Sequence, residues 1–586
     1  MLLDLSNRQE IMASAAKIKI SKGSKALGQF ANLPSAFKSP PKSAITKESA
    51  LHKLKALKPS PARQLREAAS ILSQVNRYNI KNEIRIEIVR AVIAFIYPTM
   101  AKHYLAYQSK VLSLPESKER RDIILASVDT TEQAAFAYKH YFKDIYSAKT
   151  LGYRRHREKS IETGARILEL LRIQQRFLAL RHQKLPANNW QDVNRVFFSL
   201  LLHDDVDEEI SLLGSIGTWV KKSDTIQQAA HSTAKKLFIS IQLFGLIDAP
   251  SWSTRLFHSP DTYLNYVQDA VQIHTDDNSA LEPGWLITHI DHNGPPLFQR
   301  EQHLAEPRIR IDYANLYNRL VQDYEGLAKM KFIGQFDIDK LSRPLLDLEA
   351  IERFPLLETM LFGLRPRERK QKRHAAFGHE DLKICFGFRD AFDLYMDMAP
   401  AGVKNLTKSK VFRDSLTGPS TMTTMATMDA GEMGNTKWEI VNFSTGGILV
   451  LTRESAYTNP IQIGQLVAFN PNEDVKRPLL GYISRINRPN EQQVEIAIVR
   501  FSNHAESAIV YSDQPTGGTG KEGVGVIIFQ SMEGKWCLVA KHDYDFVPGS
   551  PFKLLREDSR SLPARMGNVM LTKQEFIVFE LSAPGM

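Results

Sequence analysis

Apolar residues recur at helical spacing through the first half of the chain. Residues 83–97 place apolar side chains on one side of a 3.6-residue period, and Pro98 is predicted to lie at a break or kink. Segments 160–182 and 223–246 show the same periodicity, and Asn189 opens an Asn-x-x-Asp sequence typical of a helix start. Six or more such segments with short linkers predict a helical bundle.

The pattern changes near Pro283. Residues 284–291 and 307–313 alternate like strands, and helices are predicted at 313–329 and 345–361. From residue 382 onward the pattern is mainly that of β-structure. The predicted strands are 382–388, 437–441, 448–452, 465–470, 480–486 and 494–501, followed by a hairpin of 523–530 and 535–540. Residues 398–435, rich in Met, Thr, Gly and Lys, are predicted to be a disordered insertion.

These patterns predict an α+β multidomain protein. An N-terminal all-α bundle is followed by a small antiparallel β-barrel and a short C-terminal β-rich appendage. The predicted parts are a basic disordered arm (1–60), a helical domain (61–280), a mixed α/β connecting region (281–364), the β-barrel with its insertion (365–512) and the appendage (513–586).

Charge and cysteine content refine this organisation. The net charge of +11 is uneven, because residues 1–70 hold 13 Lys and Arg against 4 Asp and Glu. Such a basic arm can touch nucleic acid or anionic lipid, but a solvated tail is favoured, since no basic helix or aromatic stacking pattern accompanies it. Only Cys385 and Cys537 occur, which indicates a reducing compartment. With neither a signal pattern nor a membrane-spanning stretch, the sequence predicts a cytoplasmic protein.

Two short elements carry the functional information. Asn442, Ser444 and Gly447 have the spacing N-x-S-x-x-G at the end of a predicted strand. About seventy residues earlier, Arg369 and Arg373 form an R-x-x-x-R element within a run that holds six basic residues in nine. These elements, in this order and set in β-structure, resemble the PilZ domain, a bacterial receptor module for cyclic di-GMP. The resemblance covers residues 365–512.

The resemblance implies a site for cyclic di-GMP formed by Arg369, Arg373, Asn442, Ser444 and Gly447. Arginine offers a planar fork of donors that suits both phosphate oxygens and the O6 and N7 atoms of guanine. Asn442 and Ser444 can meet a guanine edge, and Gly447 allows a tight turn or close approach.

Three features depart from the usual family pattern or leave its register open. Arg365 and Arg369 also satisfy R-x-x-x-R, so Arg365 is a further possible ligand residue; the later pair is favoured because it lies nearer the first strand. The stretch 390–435 separates the two elements more widely than in the family, and must loop out. Asn442 stands where Asp is commoner, which removes a charge that could hold guanine N1–H and N2–H₂.

The residues around the other candidate sites argue against each of them. Gly517–Lys521 resembles a phosphate-binding loop, but Glu522 replaces the Ser or Thr that would hold magnesium. His203 and Asp204 resemble the metal pair of HD-type phosphohydrolases, without the Gly-Tyr-Pro element of the branch that hydrolyses cyclic di-GMP. His289, Asp291 and His292 lie close in sequence, yet a strand would turn His292 away from the other two. The sequence therefore predicts neither a catalytic residue, a metal site nor a cofactor.

The function that follows is a non-enzymatic cyclic di-GMP receptor. Docking of the arginine run on the barrel would reorient the helical domain, which would bind an unidentified protein partner. The alternative is a helical scaffold or regulator whose degenerate PilZ-like barrel binds protein rather than nucleotide. A nucleic-acid role for the basic arm comes third. The sequence sets neither the oligomeric state nor the ligand stoichiometry, nor the pathway controlled.

Overall fold

The chain divides into two compact units, one ending at residue 367 and one beginning at residue 368. The computed structural model describes residues 30, 33–34, 45–109, 118–147, 156–212, 220–222, 225–227, 231–248, 252, 256, 259–274, 285–298, 308–333, 341–346, 348, 350–365, 374–375, 382–398, 437–444, 446–455, 458, 461–470, 477–502, 504–512, 523–531, 533–541, 546, 548–557, 560–573 and 575–583. The predicted insertion, except Met398, and most of the predicted basic arm lie outside the described residues.

The first unit is mainly helical. Its described helices are Lys47–Ala56 (α1), Pro61–Arg77 (α2), Asn82–Ser109 (α3), Lys118–Ser147 (α4), Arg157–Leu180 (α5), Ala187–Leu201 (α6), Ala234–Leu246 (α7), Ser259–Val267 (α8), Ala314–Ile333 (α9), Arg343–Leu346 (α10) and Ala350–Gly363 (α11). One apolar core runs from Ala50 to Leu364. Within the described ranges, no helix has both the length and the apolar character needed to cross a lipid bilayer.

Short strands complete the first unit. They are Glu209–Ser211 (β1), Val220–Lys222 (β2), Thr225–Gln227 (β3), His231–Thr233 (β4), Gln272–His274 (β5), Trp285–His289 (β6), Leu297–Phe298 (β7) and Arg308–Asp312 (β8). β1 pairs with β4 and β2 with β3, whereas the last four form an antiparallel sheet in the order β5-β8-β6-β7. The predicted strands at 284–291 and 307–313 are confirmed by β6 and β8.

The helical region predicted from the sequence is confirmed, with local corrections. The helix predicted at 83–97 is part of α3, which continues through Pro98. The helix predicted at 223–246 begins only at Ala234, because β3 and β4 occupy part of the preceding stretch. Asn189 does not cap a helix: α6 begins at Ala187, and the Asn189 side chain donates to Gln174 Oε1 at 2.7 Å instead.

The predicted disorder of the basic arm is wrong for residues 47–56. Thr46 and Ser49 form a capping box, in which the Thr46 hydroxyl accepts from the Ser49 amide and the Ser49 hydroxyl accepts from the Thr46 amide. Ala50 and Leu54 are buried in the helical core. Apolar burial of this face therefore holds α1 in place, although its sequence is basic.

A buried charge network joins α5 to α8. Two nitrogens of the Arg176 guanidinium donate to Asp261, at 2.6 and 2.7 Å, and Arg172 lies 3.4 Å from the same carboxylate. Arg176 also donates to the Ser240 hydroxyl and stacks over the Phe244 ring at 3.6 Å. Burial alone would raise the pKa of Asp261, but the two arginines outweigh it and lower that pKa to about 2.

Loss of the Asp261 charge should destabilise the helical unit. Asp261→Asn leaves the buried Arg176 without its counter-charge, which should cost about 3–5 kcal/mol of unfolding free energy in urea titrations followed by circular dichroism. Because the folded-state pKa lies below the unfolded value of about 4, this stabilisation is present above pH 4 and is lost as the pH falls towards 2.

The matched control is Asp269→Asn. Asp269 is 75% exposed and pairs with Lys236 at 3.2 Å, so its loss should cost about 1 kcal/mol or less. Equal destabilisation by both variants would contradict the role assigned to the buried pair.

The second unit is mainly β. Its described strands are His374–Ala375 (β9), Lys383–Phe386 (β10), Glu439–Ser444 (β11), Gly447–Arg453 (β12), Leu466–Asn470 (β13), Leu479–Asn490 (β14), Gln493–Ser502 (β15), Ala505–Ser512 (β16), Gly523–Gln530 (β17), Trp536–Lys541 (β18), Pro551–Leu555 (β19), Ser561–Thr572 (β20) and Phe576–Ser582 (β21). Seven of them form an antiparallel sheet in the order β10-β13-β14-β15-β12-β11-β9, and β16 to β21 form a closed six-stranded barrel.

The fold class predicted from the sequence, a helical region followed by an antiparallel barrel, is confirmed, and every predicted strand after residue 382 is present. The position of the closed barrel differs from the expectation. Residues 513–586 were expected to form a short appendage, but their described strands close a barrel with β16, since β16 pairs with both β17 and β19. The motif-bearing strands lie in the seven-stranded sheet that precedes this barrel.

A helix that the sequence analysis missed links the sheet to the barrel. Phe388–Met398 (α12) occupies the start of the stretch expected to loop out, and it buries Phe388 and Tyr395. Glu575, between β20 and β21, accepts from the backbone amides of Phe388 at 2.6 Å and Leu466 at 3.0 Å. One carboxylate from the barrel therefore satisfies amides at the start of α12 and of β13.

Candidate ligand-binding site

Asn442 lies on a strand that contains a one-residue bulge. β11 and β12 form an antiparallel hairpin in which Ile440 pairs with Val450 and Asn442 pairs with Leu449, so Val441 is the extra residue. Directly opposed residues of an antiparallel pair project from the same face of the sheet. Asn442 therefore shares the face of Leu449, whereas Ile440 shares the face of Val450, which belongs to the apolar core.

Ser444 and Gly447 form the pair next to the hairpin turn. Ser444 lies two residues after Asn442 and so projects from the same face, and both residues are half-buried. The Ser444 hydroxyl donates to the Gly447 carbonyl at 3.4 Å. Gly447 is needed by the sheet itself, because a Cβ there would lie 2.1 Å from the carbonyl oxygen of Ile498 on β15.

Gly447→Ala should therefore destabilise the β-rich unit. The added methyl must displace the β15 backbone, which we expect to cost about 1–3 kcal/mol or more in chemical denaturation followed by tryptophan fluorescence. The control is Gly326→Ala in α9, where nothing lies within 4 Å of the new Cβ. Alanine there should be neutral or stabilise by up to about 1 kcal/mol. Wild-type stability of the Gly447 variant would contradict the steric argument.

One row of paired residues crosses the sheet from Ser444. It runs through Gly447 and Val499 to Tyr482 on β14. The Tyr482 ring packs against Phe576 of the barrel, with ring centroids 6.4 Å apart. This row therefore ends among packed aromatic side chains.

The neighbouring row begins at Asn442 and ends in a charged side chain. It runs through Leu449 and Ala497 to Arg485. A second bulge, with Ser484 as the extra residue of β14, sets this register, because Ile483 pairs with Ile498 and Arg485 with Ala497. Arg485 therefore projects from the same face as Asn442.

Arg485 is held by a polar group on the adjacent strand. Its Nη2 lies 3.8 Å from Glu495 Oε2, and the Asn487 side-chain amide donates to that oxygen at 3.0 Å. The Arg485 and Glu495 side chains are 31% and 22% exposed. Sequence reasoning missed these residues. Polar residues at these positions of the predicted strands could have drawn attention to them. The bulge that places Arg485 on the face of Asn442, however, has no recognisable pattern in the sequence.

Only Arg365 of the three candidate arginines belongs to the described residues. Arg369 and Arg373 lie outside them, because residues 366–373 are not described. His374, the next residue in the chain, pairs with Phe443, and Ala375 pairs with Asn442. Arg365 belongs to the first unit, where its Nε donates to the Tyr317 hydroxyl at 2.6 Å and its guanidinium lies over the Tyr317 ring.

The other sequence candidates have ordinary structural contacts where the structure describes them. Asp291 forms an ion pair with Arg195 at 2.8 Å, and His292 Nε2 lies 2.8 Å from the Pro295 carbonyl. Asp204 lies just after the end of α6 in a left-handed conformation. In the part of the chain that the structure describes, no three His, Cys, Asp or Glu side chains are grouped to hold a metal ion. Gly517–Lys521 lies outside the described residues.

Comparison with known protein families gives a match for the helical region. Residues 49–278 match a family model described as the N-terminal domain of the cyclic-di-GMP receptor FimW. The match begins within α1, extends beyond β5 and covers 230 of the 586 residues, all before the motif residues. Neither a curated protein nor a solved structure matches the chain.

Proposed function

We propose that this chain is a cyclic di-GMP receptor whose β-rich unit binds the ligand and whose helical unit carries the response. Its role is binding rather than catalysis, and its setting is the cytoplasm. The observation that carries the proposal is the agreement of two separate parts of the chain. The helical region matches a family model named for a cyclic di-GMP receptor, and the PilZ-like motif lies entirely outside that match.

The proposed ligand site lies where β9 meets β11. Asn442 and Ser444 share one face of the hairpin, and Ala375 pairs with Asn442 only two residues after Arg373 in the chain. In the proposal, Arg369 and Arg373 donate to phosphate oxygens and to guanine O6 and N7. Asn442 and Ser444 meet a guanine edge, and Gly447 keeps their hairpin in register.

The contacts of Arg365 favour the later arginine pair. Its guanidinium is engaged with Tyr317 inside the helical unit. Use of Arg365 as a ligand residue would require loss of that hydrogen bond. We therefore assign the R-x-x-x-R role to Arg369 and Arg373 and treat Arg365 as a contact of the helical unit.

Replacing both arginines should abolish ligand binding. Wild-type full-length protein should bind cyclic di-GMP saturably in isothermal titration calorimetry, and Arg369→Ala with Arg373→Ala should remove this binding while the thermal melt stays unchanged. The reason is the loss of two charged, bidentate donors to the ligand.

The charge-matched control is Lys553→Ala with Arg565→Ala, two exposed positions on the barrel strands β19 and β20. It should bind like the wild type. Equal loss of affinity in the control would indicate a general charge effect and would contradict a site at the arginines.

Chain connectivity supports transmission to the helical unit. The basic run separates Arg365, which is bonded to Tyr317 of α9, from His374, which is paired to β11. A ligand that fixes the run against β11 constrains the end of α11 as well. A coupling free energy of about 1–3 kcal/mol would be typical of such a device.

Hydrogen exchange measured on the full chain tests this transmission. Saturating cyclic di-GMP should change amide exchange in α9 and α11 as well as in β9 and β11, because the helices and the sheet are joined by the ligand-binding run. The Arg369/Arg373 double variant serves as the control and should show neither change. Changes confined to the β-rich unit would contradict the coupling and leave the receptor role in place.

The second candidate function is a non-catalytic scaffold with a degenerate PilZ-like sheet that binds protein. The family match favours it, because that match spans residues 49–278 and includes none of the PilZ-like motif residues. Titration of folded wild-type protein separates the two functions. Absence of binding heat would support the scaffold.

A further inference from the structure

The face of the sheet that carries Asn442 and Ser444 has a second polar region, formed by Arg485 and Glu495. Asn442 and Arg485 lie in one row of paired residues, separated by three strand spacings, or about 14 Å between their backbones. The two positions between them, Leu449 and Ala497, are apolar. Glu495 lies on β15, two residues from Ala497, and therefore projects from the same face.

The second polar region places a donor beside an acceptor. Glu495 Oε2 lies 3.8 Å from Arg485 Nη2, within ion-pair distance, and accepts a hydrogen bond from the Asn487 side-chain amide at 3.0 Å. Both side chains remain partly exposed, at 31% for Arg485 and 22% for Glu495. An arginine beside a partly exposed carboxylate offers hydrogen-bond donors and acceptors side by side.

This pairing complements one purine base. The Watson–Crick edge of guanine presents the O6 acceptor next to the N1–H and N2–H₂ donors, which match an arginine and a carboxylate in that order. Adenine presents an N6–H₂ donor and an N1 acceptor at these positions, so each atom would face a group of the wrong kind. Asn442, which is uncharged, cannot supply the carboxylate itself.

We infer that Arg485 and Glu495 form a second guanine subsite, which binds the base of the cyclic dinucleotide that lies away from Asn442 and Ser444. Arg485 donates to O6, and Glu495 accepts from N1–H and N2–H₂. This subsite rests on the proposed receptor function, and it makes the sheet face, not only the arginine run, the determinant of guanine selectivity.

The test is calorimetric titration of the full-length chain with cyclic di-GMP and, separately, cyclic di-AMP. Wild-type protein should prefer the guanine ligand. Glu495→Gln retains an oxygen for the Asn487 amide, but places a neutral amide where the carboxylate was. It should weaken cyclic di-GMP binding about tenfold or more, narrowing the preference over cyclic di-AMP. Arg485→Gln should also weaken cyclic di-GMP binding and narrow the preference, because it removes the charged donor to guanine O6.

The control variant is Arg565→Gln, at an exposed position of β20, which should bind both ligands like the wild type. A merely structural role for Arg485 and Glu495 would lower the melting temperature or weaken both ligands equally, and either result would overturn the subsite. Wild-type affinity and preference in both variants would overturn it as well, while loss of binding in the Arg369/Arg373 variant would still support the receptor. Absence of any wild-type binding would overturn both proposals.

Discussion

The register of four neighbouring strands, β11, β12, β15 and β14, determines which side chains share the face of Asn442. In a sheet, a shift of one residue transfers every later side chain to the opposite face. The bulge at Val441 moves Asn442 away from the apolar face of Ile440, and the bulge at Ser484 brings Arg485 onto the face of Asn442. β12 and β15, the two strands that separate Asn442 from Arg485, approach closely at Gly447. Loss of either bulge alone would place Asn442 and Arg485 on opposite faces, and loss of both would turn both side chains towards the face of Val450 and the apolar core.

This dependence explains how much of the site could be predicted from the sequence. The residue types of the N-x-S-x-x-G element and the strands around it were evident, because alternation of apolar residues reports strand formation directly. A bulge gives no such pattern, because one extra residue changes the face from which the later side chains project without changing the composition of the strand. The sequence therefore predicted Asn442 and Ser444 as candidate ligand residues, but gave no reason to add Arg485 and Glu495, the pair in the proposed second subsite.

The missed helices have a different cause. Apolar residues at positions 388, 391, 392, 395 and 396 follow a helical period, yet the widely spaced motif elements suggested a loop there. The carboxylate that accepts from the first amide of α12 comes from Glu575, 187 residues away in the chain. In α1, burial of Ala50 and Leu54 outweighs a composition that looked like a solvated arm. Both cases depend on distant contacts that local sequence does not display.

The two units differ in where their polar side chains lie. The helical unit contains buried charge pairs such as Arg176 with Asp261, which joins α5 to α8. The β-rich unit instead presents half-buried polar side chains on a sheet face. A basic run joins Arg365, which contacts Tyr317, to His374, which pairs with Phe443.

In such an arrangement a ligand can influence the helical unit only if its affinity differs between the states of the connecting run. In the proposed site Arg369 and Arg373 lie within that run, so ligand binding there would act directly on those states. Within the helical unit, a rearrangement that separated Arg176 from Asp261 would be opposed, because breaking a buried ion pair leaves an uncompensated charge.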